Sequence, residues 1–307
     1  MILVHCDIDQ TYLQTDFHSF RGLLRVVTEK AQDKKTFPYA TETLQILSNK
    51  KDIRLRFLSA SPEQMRRVLQ KKIKMDGILF DEVFLKDATS MVMSGTIRGV
   101  LNQVSYKLPV LLQSFLQCIE DFSEQEFYHL LFGDDSEDDP IIYTIFESIV
   151  QKKISYNSPV LTRILESCSI SENGILAIQE MSKKIQQREY KTRVIAIIHM
   201  TNNGPIEPML IFPSFVIPVF NWLQIALFIH EIGIFSRADL NMITKTTSSF
   251  SNKGNKESLE RVLQIPIENY FSIQDQKTDD NHEMKDLPKH QRVHHSLFDI
   301  IQIWRKQ

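Results

Sequence analysis

Asp7 and Asp9 stand two residues apart in Asp7-Ile8-Asp9-Gln10-Thr11, directly after an apolar run at 2–6. Two carboxylates so spaced on a turn can point into one cleft. One can attack phosphorus, and the other can exchange protons with a leaving group and with water. Ser59, in Ser59-Ala60-Ser61-Pro62, and Lys107 add a hydroxyl and an ammonium. Such groups suit the equatorial oxygens of a phosphoryl group, where charge sits in the transition state. A second acidic loop, Gly133-Asp134-Asp135-Ser136-Glu137-Asp138-Asp139-Pro140, offers carboxylates for a hard, oxygen-seeking ion such as Mg²⁺.

These groups need a scaffold that brings them to one edge. Apolar runs predict strands at 2–6, 53–58, 78–85 and 127–132. Helical spacing fills the gaps at 17–31 and 40–49, from Pro62 to about residue 73, at 108–119, and at 139–151 with Pro140 at its start. Alternating strands and helices predict a parallel sheet with helices on both faces, and such a sheet binds ligands at the C-terminal ends of its strands. Asp7, Ser59 and Asp134 all follow an expected strand, and Lys107 opens a helix.

The second half reads as mostly helical: 158–188, 217–231, 237–244 and an amphipathic 297–305, with one clear strand at 193–199. The expected division is a catalytic α/β domain over 1–152 and a mostly helical region over 153–307. Polar stretches near 245–257 and 274–295 read as mobile.

The chain has 307 residues, 42% of them hydrophobic and 24% charged, which excludes a disordered chain or a coiled-coil rod. A net charge of −2 gives no bulk electrostatic case for nucleic-acid binding. Three cysteines, Cys6, Cys118 and Cys168, argue against a disulfide framework. The first residues lack the basic and long apolar regions of a signal peptide, so the expected compartment is the cytoplasm. Residues 209–229 are strongly apolar but interrupted by Pro213, Pro218, Asn221 and Gln224. They read as a buried helix, with contact to a membrane surface as the alternative.

In this order, the four elements resemble the signature of the haloacid dehalogenase (HAD) superfamily: D-x-D-x-T, an apolar strand ending in Ser or Thr, a lysine, and an acidic G-D…D loop. The resemblance narrows to the catalytic-domain family of the actin-patch-associated phosphatidate phosphatases. Its members read approximately D-I-D-D-T-x-K-x-T, S-A-S-P and G-D-S-G-E-x-D-P-x-I-Y. The matching stretches are DIDQTYLQT (7–15), SASP (59–62) and GDDSEDDPIIY (133–143), with Thr15, Glu137, Pro140, Ile142 and Tyr143 in register. Gln10, Leu13 and Asp135-Ser136 depart from the pattern. The resemblance covers about residues 1–150 and implies a HAD-type Rossmann-like sheet. It implies Asp7 as nucleophile and Asp9 as general acid, then base. Ser59 and Lys107 become phosphate holders. Asp7, the Asp9 carbonyl, Asp134 and Asp139 become Mg²⁺ ligands, and Thr11 supports the loop. The implied substrate is a phosphomonoester, phosphatidate or another, reached from the cytoplasm or a membrane surface.

Other readings compete. Lys72 and Lys86 are alternatives to Lys107. Ser59 could be a helix N-cap, and Asp135 and Asp138 could be solvated or loop-capping. His5-Cys6 suggests a cysteine-dependent phosphatase, but Tyr12 stands where the phosphate-cradling arginine belongs. His282, His290, His294 and His295 read as a solvated tail rather than a metal site. A non-catalytic scaffold on a retained HAD frame, and a membrane-peripheral adaptor acting through 209–229, are the alternatives to an enzyme.

Overall fold

The computed structural model describes residues 1–15, 29–86, 103–121, 126–201 and 207–246. Among these residues six strands form one all-parallel sheet: β1 (Ile2–Asp7), β2 (Ile53–Pro62), β3 (Glu82–Lys86), β4 (Glu126–Asp134), β5 (Lys191–His199) and β6 (Val216–Val219). Their order is β3-β2-β1-β4-β5-β6. This is a doubly wound order that reverses between β1 and β4, and the reversal opens a crevice beyond the strands' C-terminal ends. The registers put Asp7 opposite Leu58 and Asp134 opposite His199. The sequence elements expected to do chemistry therefore reach the crevice together.

Eight α-helices flank the sheet among the described residues: α1 (Ala40–Ser48), α2 (Arg66–Met75), α3 (Val104–Asp121), α4 (Asp139–Val150), α5 (Pro159–Ser167), α6 (Glu172–Gln186), α7 (Trp222–Glu231) and α8 (Arg237–Thr246). Successive strand residues face opposite sides, and the two cores divide accordingly. Leu3, Phe127, Leu131, Val194, Ala196 and Ile198 pack with α3, α4, α5 and α6. Val4, Cys6, Leu130, Phe132, Ile195 and Ile197 pack with α1, α2, α7 and α8. With both faces covered, β1 and β4 are buried along almost their whole length, as a central parallel strand requires, while β2 alternates at its start, where Arg54 is exposed between Ile53 and Leu55.

The sheet continues past the division expected near residue 152, because β5 pairs with β4 and β6 with β5. Residues 216–219 are strand rather than the start of the expected helix, and Asn221 caps α7 by accepting from the Gln224 N–H at 3.0 Å. Pro218 is no obstacle there, since β6 lies at the sheet edge. β2 runs on through Pro62, so α2 begins at Arg66, four residues later than expected. The third strand is confined to Glu82–Lys86, and residues 158–188 divide into α5 and α6. Most of the expected helix at 17–31, the helix at 297–305, the segment at 274–295 and nearly all of 245–257 lie outside the described residues.

The apolar stretch at 209–229 joins the core: Met209, Val216, Trp222, Ile225, Phe228 and Ile229 are buried. Among the described residues, no helix is long and apolar enough to cross a membrane.

Candidate active site

Asp7 ends β1, buried among strand ends. Lys107 lies in the first turn of α3, and its side chain is fully buried. Its Nζ stands 2.7 Å from Asp7 Oδ1, 2.7 Å from Asp139 Oδ1 and 3.0 Å from Glu137 Oε2. Asp139 opens α4, where Pro140 follows it in the first turn. Carboxylate atoms of Asp7, Asp134, Glu137 and Asp139 all lie within 4.8 Å of one another. Three carboxylates thus contact one ammonium, with the Asp134 carboxylate beside them, in a place largely closed to water.

Burial pushes the Asp7 carboxyl well above the usual range, and Asp139 and Glu137 add to the rise against the opposing pull of Lys107. The same burial raises Asp134, and it raises Asp139 to about 6. Burial alone would lower the Lys107 ammonium, but Asp139, Asp7 and Glu137 outweigh it and hold the group above its ordinary value. Both oxygens of Asp7 are buried without a hydrogen bond, the Lys107 contact being an ion pair without hydrogen-bond geometry. Orphaned, clustered, hard oxygen donors fit a divalent cation such as Mg²⁺.

Asp9 lies apart from this cluster. Its Oδ2 accepts from Ser59 Oγ at 2.7 Å and Ser61 Oγ at 2.8 Å, while Oδ1 is buried without a partner. Burial raises its pKa, although the two serine hydrogen bonds pull the other way. Ser59 also accepts from the Ser61 N–H at 2.9 Å, which is a local turn bond rather than a helix cap. Of the three candidate lysines, Lys107 is the one at the carboxylates. Lys72 pairs with Asp76 on α2 at 2.8 Å, and Lys86 ends β3.

The acidic loop is held from within and from outside. Asp134 Oδ1 accepts from the N–H of Ser136 at 2.7 Å and from the Ser136 hydroxyl. Asp134 N–H donates to Asp139 Oδ2 at 3.3 Å. A Cβ on Gly133 would fall 2.5 Å from Asp139 Oδ2 and 2.8 Å from Tyr143 Cε2, so the close approach of β4 to α4 admits only glycine. Asp135 caps the loop, taking both the N–H and the hydroxyl of Thr201 at 2.7 Å.

A model of the catalytic domain of the phosphatidate phosphatase APP1 family matches residues 2–156. The chain belongs to this family. The APP1 match contains every residue of the carboxylate cluster, together with Lys107, Asp9, Ser59 and Ser61. Comparison with curated proteins and with solved structures gives no match.

Within the APP1 segment, two contributors lacked a role in the sequence reading. Glu137 fell in register with the family pattern and turns out to face Lys107. Ser61 was a letter of SASP and turns out to share Asp9 with Ser59. Two more lie beyond the segment. His199 Nδ1 donates to the Gln10 carbonyl at 3.0 Å, and Trp222 Nε1 donates to the Thr11 carbonyl at 2.8 Å. His199 closes an expected strand, so its place at the ligand edge was the one available signal.

His5 and Cys6 take no part in the cluster. His5 bonds His129 Nε2 and Ser114 Oγ, both at 2.7 Å, on the α3 face of the sheet. The Cys6 thiol is buried and its pKa pushed up, chiefly by that burial, the opposite of a reactive thiolate. His282, His290, His294 and His295 lie outside the described residues.

Proposed function

We propose that the chain is a Mg²⁺-dependent phosphomonoester hydrolase of HAD type, with phosphatidate as substrate and an aspartyl-phosphate intermediate. The observation that carries this reading is the burial of Asp7 at the sheet's switch point. Its two oxygens lack hydrogen bonds, and an ammonium and three further carboxylates surround it.

In the first step an Asp7 oxygen attacks phosphorus, the ester P–O bond breaks, and Asp9 gives its proton to the leaving alkoxide. In the second step Asp9 takes a proton from water as that water attacks phosphorus. Phosphate leaves, and Asp7 is restored. An acid must hold its proton until the bond breaks, and the raised pKa of Asp9 supports that role. Ser61 and Ser59 orient its carboxyl. Serving the phosphate requires the Ser59 hydroxyl to turn from Asp9, leaving Ser61 as the donor that stays. Lys107 balances charge around Asp7 and faces the transferring group.

Asp7, Asp134, Glu137 and Asp139 are the side chains that would hold Mg²⁺. When bound, Mg²⁺ offsets the repulsion between an incoming phosphate and the Asp7 carboxylate. A phosphatidate substrate places the working enzyme at a membrane surface.

The test is phosphate release from a panel of phosphomonoesters, phosphatidate in mixed micelles included, with and without Mg²⁺, for wild type and Asp7→Asn. Release that needs both Mg²⁺ and Asp7 and is fastest on phosphatidate is the expected result. Release no faster than Asp7→Asn on every substrate would favour a non-catalytic scaffold.

A further inference from the structure

Three residues after 156, His199, Thr201 and Trp222, tie the second half of the chain to the loops that carry the site. The turn after Asp9 is unusual: Gln10 takes a left-handed backbone, with φ of 58°. A non-glycine residue holds such a conformation only where its surroundings over-determine it. Part of that hold is local. Gln10 N–H donates to the Leu13 carbonyl at 2.9 Å and to Thr15 Oγ1 at 3.2 Å. The rest comes from the far half of the chain.

His199 Nδ1 donates to the Gln10 carbonyl at 3.0 Å. Trp222 Nε1 donates to the next carbonyl, of Thr11, at 2.8 Å. Both side chains are buried, and each is braced by an aromatic ring. Phe37 meets His199 edge-on at 4.4 Å, and Phe132 on β4 meets Trp222 edge-on at 5.7 Å. His199 also serves the opposite loop, its carbonyl accepting from the Asp135 N–H at 3.1 Å. Thr201, two residues on, holds the Asp135 carboxylate.

We infer that His199 and Trp222 are positioning residues that clamp the turn after Asp9 and so fix the Asp9 carboxyl against Ser59 and Ser61. The inference rests on the proposed phosphatase reading for its catalytic consequence and on the geometry alone for the clamp. On this view β5, Thr201 and Trp222 form part of the catalytic unit. The Asp9 proton transfers depend on the clamp more than the first attack by Asp7, because Asp7 is fixed by the β1 ladder itself.

The test uses the full chain carrying Trp222→Phe, which keeps an aromatic ring and loses the N–H. His199→Ala, and His199→Asn with its own donor amide, form the second series. The first readout is amide hydrogen exchange at Tyr12 and Leu13 relative to the β4 and β5 strands. Faster exchange confined to the turn supports the clamp; unchanged or uniformly faster exchange overturns it. The second readout is rapid-mixing turnover of p-nitrophenyl phosphate, whose good leaving group needs little help from an acid. The clamp predicts a retained first burst, with steady-state turnover lower by on the order of tenfold to a hundredfold. His199→Asn should recover part of what His199→Ala loses. A burst and a steady state that fall together, or a His199→Asn variant no better than His199→Ala, overturn the inference. If wild type releases no phosphate at all, the phosphatase reading fails instead, and the exchange measurement still decides the clamp.

Discussion

Lys107 and Asp7 meet at 2.7 Å with neither side chain open to solvent, 0% and 1% exposed. The pair brings the first turn of α3 onto the end of β1 and sets a positive charge among four carboxylates. Taking charges out of water is costly, and such a cluster stands only while its members compensate one another or hold an ion.

Asp7→Asn is expected to abolish turnover, by on the order of 10⁴-fold if Asp7 is the nucleophile. It is also expected to raise the melting temperature of the metal-free protein at pH 8. A carboxyl whose folded pKa lies above its unfolded value destabilises the fold at every pH above the unfolded value, since ionisation favours the unfolded chain. The gain should shrink as pH falls and vanish below about pH 3, where the carboxyl is protonated in both states. Differential scanning calorimetry of the two proteins across pH checks this. A lower melting temperature for Asp7→Asn at pH 8 contradicts it.

Lys107→Met removes the ammonium and leaves its carboxylate neighbours uncompensated. Breaking a buried ion pair on one side costs about 3–5 kcal/mol. The cost should be larger at pH 8 than at pH 5, because acid lets the neighbouring carboxylates take up protons. Urea denaturation at the two pH values measures it. Equal losses at both would mean that packing, not charge, is the contribution of Lys107.

Mg²⁺ added to the metal-free protein should raise its melting temperature, by mass action on the folded state. At about 100 times the dissociation constant the stabilisation is about 2.7 kcal/mol. EDTA should reverse it. Glu137→Gln should weaken the effect while leaving Asp7 and Asp9 in place, since Glu137 is the most exposed member of the cluster. A thermal shift that is the same in wild type and Glu137→Gln removes Glu137 from the metal site.

His5 and His129 form a buried pair on the opposite face of β1 from Cys6. Burial pushes His129 down to about 3 and His5 well below its ordinary value, so both stay neutral in the fold. A histidine with a depressed folded pKa contributes stability that is complete above its unfolded value of about 6.5 and is lost as pH falls below it. Between pH 7 and pH 5 His129 alone should remove about 2 kcal/mol, at about 1.4 kcal/mol per pH unit below 6.5. His129→Gln keeps a polar partner for His5 and removes that titration, so its stability should fall less steeply over the same window. Chemical denaturation at several pH values reads the two slopes, and parallel slopes would refute the assignment.

The strands and the site residues were legible locally for one reason. A parallel sheet covered on both faces demands largely apolar strands, and the segments at 2–6, 53–58 and 127–132 each lead within two residues to a polar side chain, Asp7, Ser59 or Asp134, that the fold places at the ligand edge. β6 was not legible: four residues containing Pro218 carry no strand pattern, and only the free edge beside β5 makes them a strand. The same holds for the full extent of β2, where SASP reads as a helix start and the edge pairing of Pro62 with Lys86 extends the strand.

The sequence by itself determined the chemical groups and their order along the chain: Asp7 and Asp9, Ser59, Lys107, Asp134 and Asp139, each beside an element of fixed period. It determined the family as well, through the spacing of those groups. The tertiary structure decided their partnership. It set Lys107 among the carboxylates and Lys72 beside Asp76, brought Glu137 into the cluster, gave Asp9 to two serines, and set His199 and Trp222 on the loop beside Asp9. Sequence spacing constrains distances of a few residues along one helix or strand. Contacts between residues such as Trp222 and Thr11 depend on how helices and strands pack across the sheet, and that packing has no local signature.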